Sequence, residues 1–545
     1  MSTGNGTVAT LGQATQGRPR GEQKKPIEQF KRRESAELVI AFAGPIGSGI
    51  KSVIDQADQR LQALNYKVHR IKLSGFIDAA LRAGTINLGA LPTLGKADRY
   101  IRLQDGGYAL RERFAPDILA EWAVREIVGV RAEGMPAELD ERPKDFVPVK
   151  VAYLIDQIKH PAEVELLRAV YRNLFYLVGV VSVASSREQR LLQEGVAMAN
   201  VSELMERDRR QEHENGQQLD KALQLADFFI RNDRGNLDPI KEQIARFLSL
   251  LHGENGITPS RQEYGMYVAY AAGLKSACMS RQVGAAIANA EGEIIATGCN
   301  DVPKAGGGLY VTEDGQHDHR CVHREEQVCF NDREKAALRE AMEGSLRDAL
   351  ASAVPDKASD PAVLDAVMAA VYSASRIKDL IEFSRAVHAE MEAIISLARG
   401  GGTGLTDAVL YSTTFPCHSC ARHIVAAGIK RVYYIEPYEK SLAKSLHSDA
   451  IQFDTEESGA GAGTRREAGT EHVKFIHFEG IAPRQYLRFF TMNSRKDRTG
   501  KVIKIVPAQL PKAVNEYLDD YRDFEAKVVA HLSEILPDDG QEETA

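Results

Sequence analysis

Three metal-seeking side chains, divided between two short stretches, constrain this chain more than any other feature. His388 stands in His388-Ala389-Glu390, and Cys417 and Cys420 stand in Pro416-Cys417-His418-Ser419-Cys420. With 20 Pro and 6 Cys in 545 residues, a Pro-Cys-x-x-Cys run arises by chance roughly 0.002 times. One imidazole and two thiolates give Zn2+ three protein ligands and leave the fourth position for water. A closed structural site would want a fourth Cys or His close by, and none is evident. The metal lowers the pKa of its water toward neutrality. Glu390, two residues past the imidazole, is expected to move that water's protons and not to ligate. Cys417 and Cys420 are expected at a helix start, where the dipole and free N–H groups favour thiolates.

Composition narrows the class without naming it. Apolar residues are 43% and charged residues 27%, ordinary for a folded protein. The net charge of -7 excludes a bulk-electrostatic nucleic-acid binder. Six cysteines do not make a disulfide scaffold. The N-terminal stretch has no apolar h-region, so no secretory signal is expected. The longest apolar run, 174–184, falls far short of the ~20 residues that span a bilayer. A cytoplasmic protein with reduced thiols is expected.

The pattern along the chain implies two α/β domains between tails. Residues 1–35 and 537–545 are expected to be disordered. From Glu37, ELVIAFAG reads as a buried strand, GPIGSG as a glycine turn and IKSVIDQADQRLQAL as a helix. Val151–Gln157 and Phe175–Ser185 read as further buried strands, with helical stretches between them. That alternation implies a parallel, helix-covered sheet over 36–250. A polar linker, 251–260, leads to the second domain, 251–536. There the pattern is a helix, a hairpin around Glu291–Gly292, a polar insert, helices, strands at 406–413 and 431–437, and a strand at 472–478. The stretch 455–470 reads as a mobile loop.

The ordered pair His-Ala-Glu and Pro-Cys-x-x-Cys matches the signature of the zinc nucleobase deaminases. The surroundings carry the likeness further. RQVGAAIAN, GEIIATGCN, HAEMEAI, PCHSCARHIVAAGIKRVYYIEPY and KSLAKSLHSDAI follow the order of the cytidine/deoxycytidylate deaminase family. The resemblance implies an α/β/α domain with a mixed sheet. It implies that Asn300 binds the sugar hydroxyl, the other reading being a plain turn residue, and that the Ala389 backbone touches the base. Tyr438, Ser441 and His447 resemble a stretch of deoxycytidylate deaminases. The segment with His317, His319, Cys321, His323 and Cys329 offers donors for a second, structural zinc near Cys321 and Cys329. The competing reading is a polar insert whose Arg320, His323 and Arg324 are solvated or face a substrate phosphate.

In the first domain Gly44, Gly47, Ser48, Gly49, Lys51 and Ser52 form a P-loop-like turn between strand and helix, suited to a phosphate. Ile50 stands where the P-loop lysine belongs, and Lys51 where the Mg2+-binding hydroxyl belongs. Asp156 ends a strand, in the place of a Walker-B acid. Arg207, Arg209 and Arg210 resemble the arginine lid of small nucleotide kinases, ordinary surface charge being the other reading. Joined to the second domain, this resembles the bacterial anti-phage dCTP/dCMP deaminases with an N-terminal P-loop nucleotide-kinase-like domain. That resemblance implies deamination of dCTP and dCMP to dUTP and dUMP, and depletion of dCTP during phage infection. It further implies Mg2+ with nucleotide at the P-loop, inhibition by a small non-coding RNA and a homo-oligomer. An editor of cytosine or adenine in nucleic acid is the alternative.

Overall fold

Residues 38–43 are apolar on both faces, which suits a strand covered on two sides. They form the buried β1 (Glu37–Ala43) at the centre of a sheet. In this computed structural model the described residues are 35–89, 95–133, 149–209, 216–233, 235–353, 361–374, 377, 380–402, 404–437, 441–453, 472–491, 496–510, 512–513, 525–526 and 528–533. Residues 1–34 of the N-terminal tail, the C-terminal tail, the loop at 455–470, Arg210 and Tyr438 lie outside them.

The first sheet runs β12-β5-β4-β1-β3-β2. Its members are β2 (Lys67–Lys72), β3 (Val151–Ile158), β4 (Phe175–Val181), β5 (Phe228–Arg231) and β12 (Gly480–Ile481). β1 to β5 are mutually parallel, as the alternating pattern implied, but the antiparallel β12, from beyond residue 250, makes the sheet mixed rather than purely parallel. β2 and β3 lie to one side of β1, and β4 and β5 to the other. Connections therefore fan both ways from its C-terminal end, the place where open α/β sheets put ligands. The glycine turn 44–49 sits there, ahead of the helix Ile50–Ala63. β2 and β5 were not legible in the sequence. β2 is an edge strand whose Lys67, Arg70 and Lys72 are exposed, so KVHRIK reads as a charged connector. β5 has only four residues.

The second sheet runs β10-β11-β9-β8-β6-β7. β6 (Gly284–Ala288) and β7 (Ile294–Cys299) are the expected hairpin. β6 is antiparallel to β8 (Val409–Thr414), while β8, β9 (Arg431–Glu436), β11 (Val473–His477) and β10 (Ile451–Phe453) are parallel. The sheet is mixed, as the resemblance implied.

The two halves are not beads on a string. After β11 the chain returns to the first sheet, where β12 pairs antiparallel with β5. Glu263 ties the junction. It caps the helix Arg261–Gly273 through Ser260, accepts from Arg246 at 2.6 Å and accepts from the Ile481 N–H at 2.9 Å. Met266 and Ala269 of that helix share one apolar core with Ala226 and Phe229 of the first half. Among the described residues no helix is long and apolar enough to cross a membrane.

Candidate metal centre and the glycine loop

Two helix N-termini carry the three expected ligands to one point. His388 is the N-cap of the helix Ala389–Arg399, and Cys417 the N-cap of the helix His418–Ala426. The Cys417 Sγ accepts from the Cys420 N–H at 3.4 Å. His388 Nδ1 lies 3.3 Å from each of the two sulfurs, and all three donor atoms fall within 4.8 Å of one another. A tetrahedral ion with Zn–S of 2.3 Å and Zn–N near 2.05 Å needs N···S edges of about 3.6 Å. The donor set therefore fits Zn2+ in both chemistry and spacing. The hydrogen bond between the thiols and the contact with His388 hold Cys417 well below the usual thiol range, while the same bond pushes Cys420 up. One ready thiolate beside an imidazole is the state from which a metal displaces the remaining proton.

Glu390 sits in the first turn of its helix, 4% exposed. One carboxylate oxygen accepts from Ser412 Oγ at 3.2 Å, and the other lies 3.4 Å from Cys420 Sγ. Burial raises its pKa, which moves a carboxyl toward the range where it can both take and give a proton. The helix reaches this position because β7 has a glycine beneath it. A Cβ at Gly298 would stand 2.2 Å from the Ala389 carbonyl oxygen and 2.5 Å from the Ala393 nitrogen. Ala389 is fully buried at this contact. Ser412, on β8, was not singled out from the sequence. It is a wholly buried hydroxyl in VLYSTT, and beside two threonines nothing in that sequence marks it out.

Asn300 lies just past β7 and uses its amide locally. Its Oδ1 accepts from the Val283 N–H at 2.7 Å, and its Nδ2 donates to the Arg281 carbonyl at 2.8 Å. It thereby fixes the backbone that carries Arg281. Arg281 in turn donates to Thr414 Oγ1 at 3.1 Å and faces Glu436 at 3.6 Å. Arg281, Thr414 and Glu436 were likewise missed. Ser441 donates to the carbonyl of Pro416, just ahead of the cysteines.

The second zinc is not supported. Among the described residues only His388, Cys417 and Cys420 gather as a group of three metal-binding side chains. The insert is organised instead around a buried ion cluster, in which Arg320 pairs with Asp318 at 2.5 Å and with Asp301 at 3.5 Å. His323 lies 3.4 Å from Asp318, His319 packs edge-on against Tyr310, and Arg385 contacts Cys321 at 3.8 Å.

The glycine loop forms as a turn with Gly47 and Gly49 in the left-handed region, at φ 75° and 72°. Gly49 caps the following helix. Ser48 is buried and Lys51 exposed, with Ser52 half-buried beside it. The lysine that reaches the loop is Lys159, which follows β3 and donates to the Gly44 carbonyl at 3.0 Å. Nothing in the local motif pointed to it. Asp156 stands at the C-terminal end of β3, opposite Phe42. Burial raises its pKa, and Lys72, Lys159 and Arg70 act on its charge. That cationic surrounding opposes a second cation, and no group of three metal-binding side chains gathers there among the described residues. The Mg2+ expectation is not supported. Arg207 is taken by Asp105 and Glu203 rather than held free as a lid.

Residues 259–436 match the family described as "Cytidine and deoxycytidylate deaminase zinc-binding region". The chain is 30% identical over 176 residues to the deoxycytidylate deaminase of enterobacteria phage T4, covering 32% of this chain and 78% of that protein. It is 29% identical over 184 residues to the deoxycytidylate deaminase of enterobacteria phage T2, with 32% and 80% covered. Among solved structures it aligns with the dCMP deaminase of cyanophage S-TIM5 in complex with dCMP and dUMP. That alignment has 19% identity and a TM-score of 0.20, and covers 35% of this chain and 90% of that one.

Proposed function

We propose that this chain, which belongs to the cytidine and deoxycytidylate deaminase family, is an enzyme that hydrolytically deaminates deoxycytidine nucleotides, taking dCMP to dUMP and dCTP to dUTP. The observation that carries the reading is one cluster: an imidazole nitrogen and two sulfurs at metal-binding spacing, with the buried Glu390 carboxylate 3.4 Å from one sulfur. His388, Cys417 and Cys420 hold the zinc. When bound, zinc supplies a water acidic enough to serve as nucleophile near neutral pH.

The remaining work belongs to the chain. Glu390 takes one proton of the attacking water and delivers it to N3 of the cytosine ring, then takes the second from the resulting C4 hydroxyl and passes it to the departing amino group, which leaves as ammonia. Ser412 fixes the carboxylate by donating to it. The Ala389 backbone meets the base. Asn300 has its Oδ1 and one N–H committed to backbone, which leaves the second N–H of its amide for the sugar hydroxyl.

We read the first half as a P-loop, nucleotide-kinase-like module that binds a nucleotide and regulates the second. Its parallel strand order, with a glycine turn at the C-terminal end of the central strand, supports that reading. In the cell, a cytoplasmic homo-oligomer held in check by a small non-coding RNA would deplete dCTP during phage infection.

The test is a substrate panel on the metal-replete full chain. It comprises dCMP, dCTP, CTP, cytidine and single-stranded DNA, read by ammonia release with and without cellular RNA. Turnover of a deoxycytidine nucleotide is expected. Turnover of single-stranded DNA alone, or of none of the five, overturns the reading.

A further inference from the structure

The glycine loop already holds an anion, and that anion belongs to the chain. Asp208, in the helix Met198–Arg209, places one carboxylate oxygen 2.6 Å from the Ile46 N–H and the other 2.6 Å from Lys159 Nζ. Its side chain is 3% exposed. Lys159 also donates to the Gly44 carbonyl, so loop, lysine and carboxylate form one closed unit. A backbone N–H of a glycine turn and a lysine ammonium beside it are the donors a phosphate oxygen would use. We propose that Asp208 is an autoinhibitory latch, seated on the loop in place of a phosphate. On this account a nucleoside di- or triphosphate binds only when the helix Met198–Arg209 lifts away. The inference rests on reading the loop as a nucleotide site and adds how that site is controlled.

The surroundings favour a device that opens. Ile46, Ala97, Ile101, Leu191, Val196, Val201 and Leu204 make a small apolar cluster separate from the main cores. The helix with Asp208 is therefore anchored by a satellite core, whose loss would leave the sheet intact, the usual condition for local opening. Beyond that cluster, Gln104 donates to the Leu204 carbonyl at 3.3 Å, and Arg207 pairs with Asp105. The far side of the loop, by contrast, is firmly held. Arg190 donates to the Gly47 carbonyl at 3.0 Å and Asn232 to the Ser48 carbonyl at 2.9 Å. Opening is thus confined to the Asp208 side. A carboxylate brings one negative charge to this place and a polyphosphate brings several, so the polyphosphate wins the exchange once the helix moves.

Calorimetric titration of the full chain with ATP, dCTP and inorganic tripolyphosphate tests the latch. Asp208→Asn keeps the shape and removes the charge, and it is expected to bind at least tenfold tighter than the native chain. Leu204→Ala keeps the carboxylate, loosens the helix anchor and is also expected to bind tighter, so the test survives if Asp208→Asn fails to fold. Adding Lys159→Met to Asp208→Asn should erase the gain. Native affinity in both single variants overturns the latch and leaves the loop as an open nucleotide site. Absence of binding in every variant, for all three probes, overturns the nucleotide-site reading and the latch with it.

Discussion

Replacing Glu390 by Gln separates proton transfer from metal binding. The carboxylate belongs to none of the three donor atoms at the metal centre, so the variant should keep its zinc. Gln preserves the side-chain length and an oxygen that accepts from Ser412, the bond seen at 3.2 Å, so the fold should hold as well. What it removes is the group placed to take a proton and return it, a role worth about 10²–10⁴ in rate. At about 1.4 kcal/mol per decade that is roughly 3–5 kcal/mol of barrier. Glu390→Ala is a poorer probe. It leaves the wholly buried Ser412 hydroxyl without its acceptor, at a cost of about 1–3 kcal/mol of stability. Rate constants for dCMP come from ammonia release, metal content from elemental analysis and stability from denaturant titration. A Glu390→Gln enzyme within tenfold of native kcat, or one that has lost its zinc, would refute the division of labour between ligands and acid–base group.

Gly298→Ala should weaken folding by about 1–3 kcal/mol and lower zinc occupancy. Its new methyl group would stand 2.2 Å from the Ala389 carbonyl, and backbone in the first turn after His388 has little room to retreat. Unchanged melting and metal content would show that the helix does not need this close approach. Glu163→Gln should cost about 3–5 kcal/mol in denaturant titration, because Arg111, 2% exposed, would lose the carboxylate that it holds at 2.7 Å. For pH, burial lowers His252 to about 4, against about 6.5 in an unfolded chain. Its contribution is complete above pH 6.5 and fades as pH falls toward 4, the loss amounting to about 2 kcal/mol at pH 5. His252→Gln should flatten that part of the stability profile between pH 7 and 5, and an unchanged slope would contradict the burial argument.

Legibility in the sequence followed the number of independent constraints on each residue. The zinc ligands and Glu390 were readable because the chemistry fixes residue type, order and spacing together. The buried central strands were readable because β1, β3 and β4 are apolar on both faces over five to seven consecutive residues. β2 and β5 escaped because an edge position tolerates charges and four residues carry no period. The insert misled in an instructive way. Its His and Cys residues looked like ligands by composition, yet Arg320 with Asp318 and Asp301 organises the segment, and an ion pair leaves no spacing signature. Lys159 and Asp208 were invisible for a further reason: they come to Gly44 and Ile46 through tertiary contact, across 115 and 162 residues of chain.

The return of the chain to its first sheet decides how the halves can speak to each other. Asn232, directly after β5, holds the loop carbonyls of Ser48 and Gly49. β5 pairs with β12, and β12 follows β11 after two residues. β11 pairs with β9, whose last residue, Glu436, accepts from the Phe415 N–H through its carbonyl and from Thr414 through its carboxylate. Those two residues stand immediately before Pro416 and Cys417. Glycine loop and metal centre are therefore joined by strand pairing and covalent chain. Such a route transmits a change only if some element along it has two arrangements. The strand pairs along it are held in register by backbone hydrogen bonds. The Asp208 carboxylate on the loop, anchored by a satellite core, is the element with a second arrangement within reach. On the proposed reading, that contact, rather than the loop glycines, is the point at which the first half would act on the second.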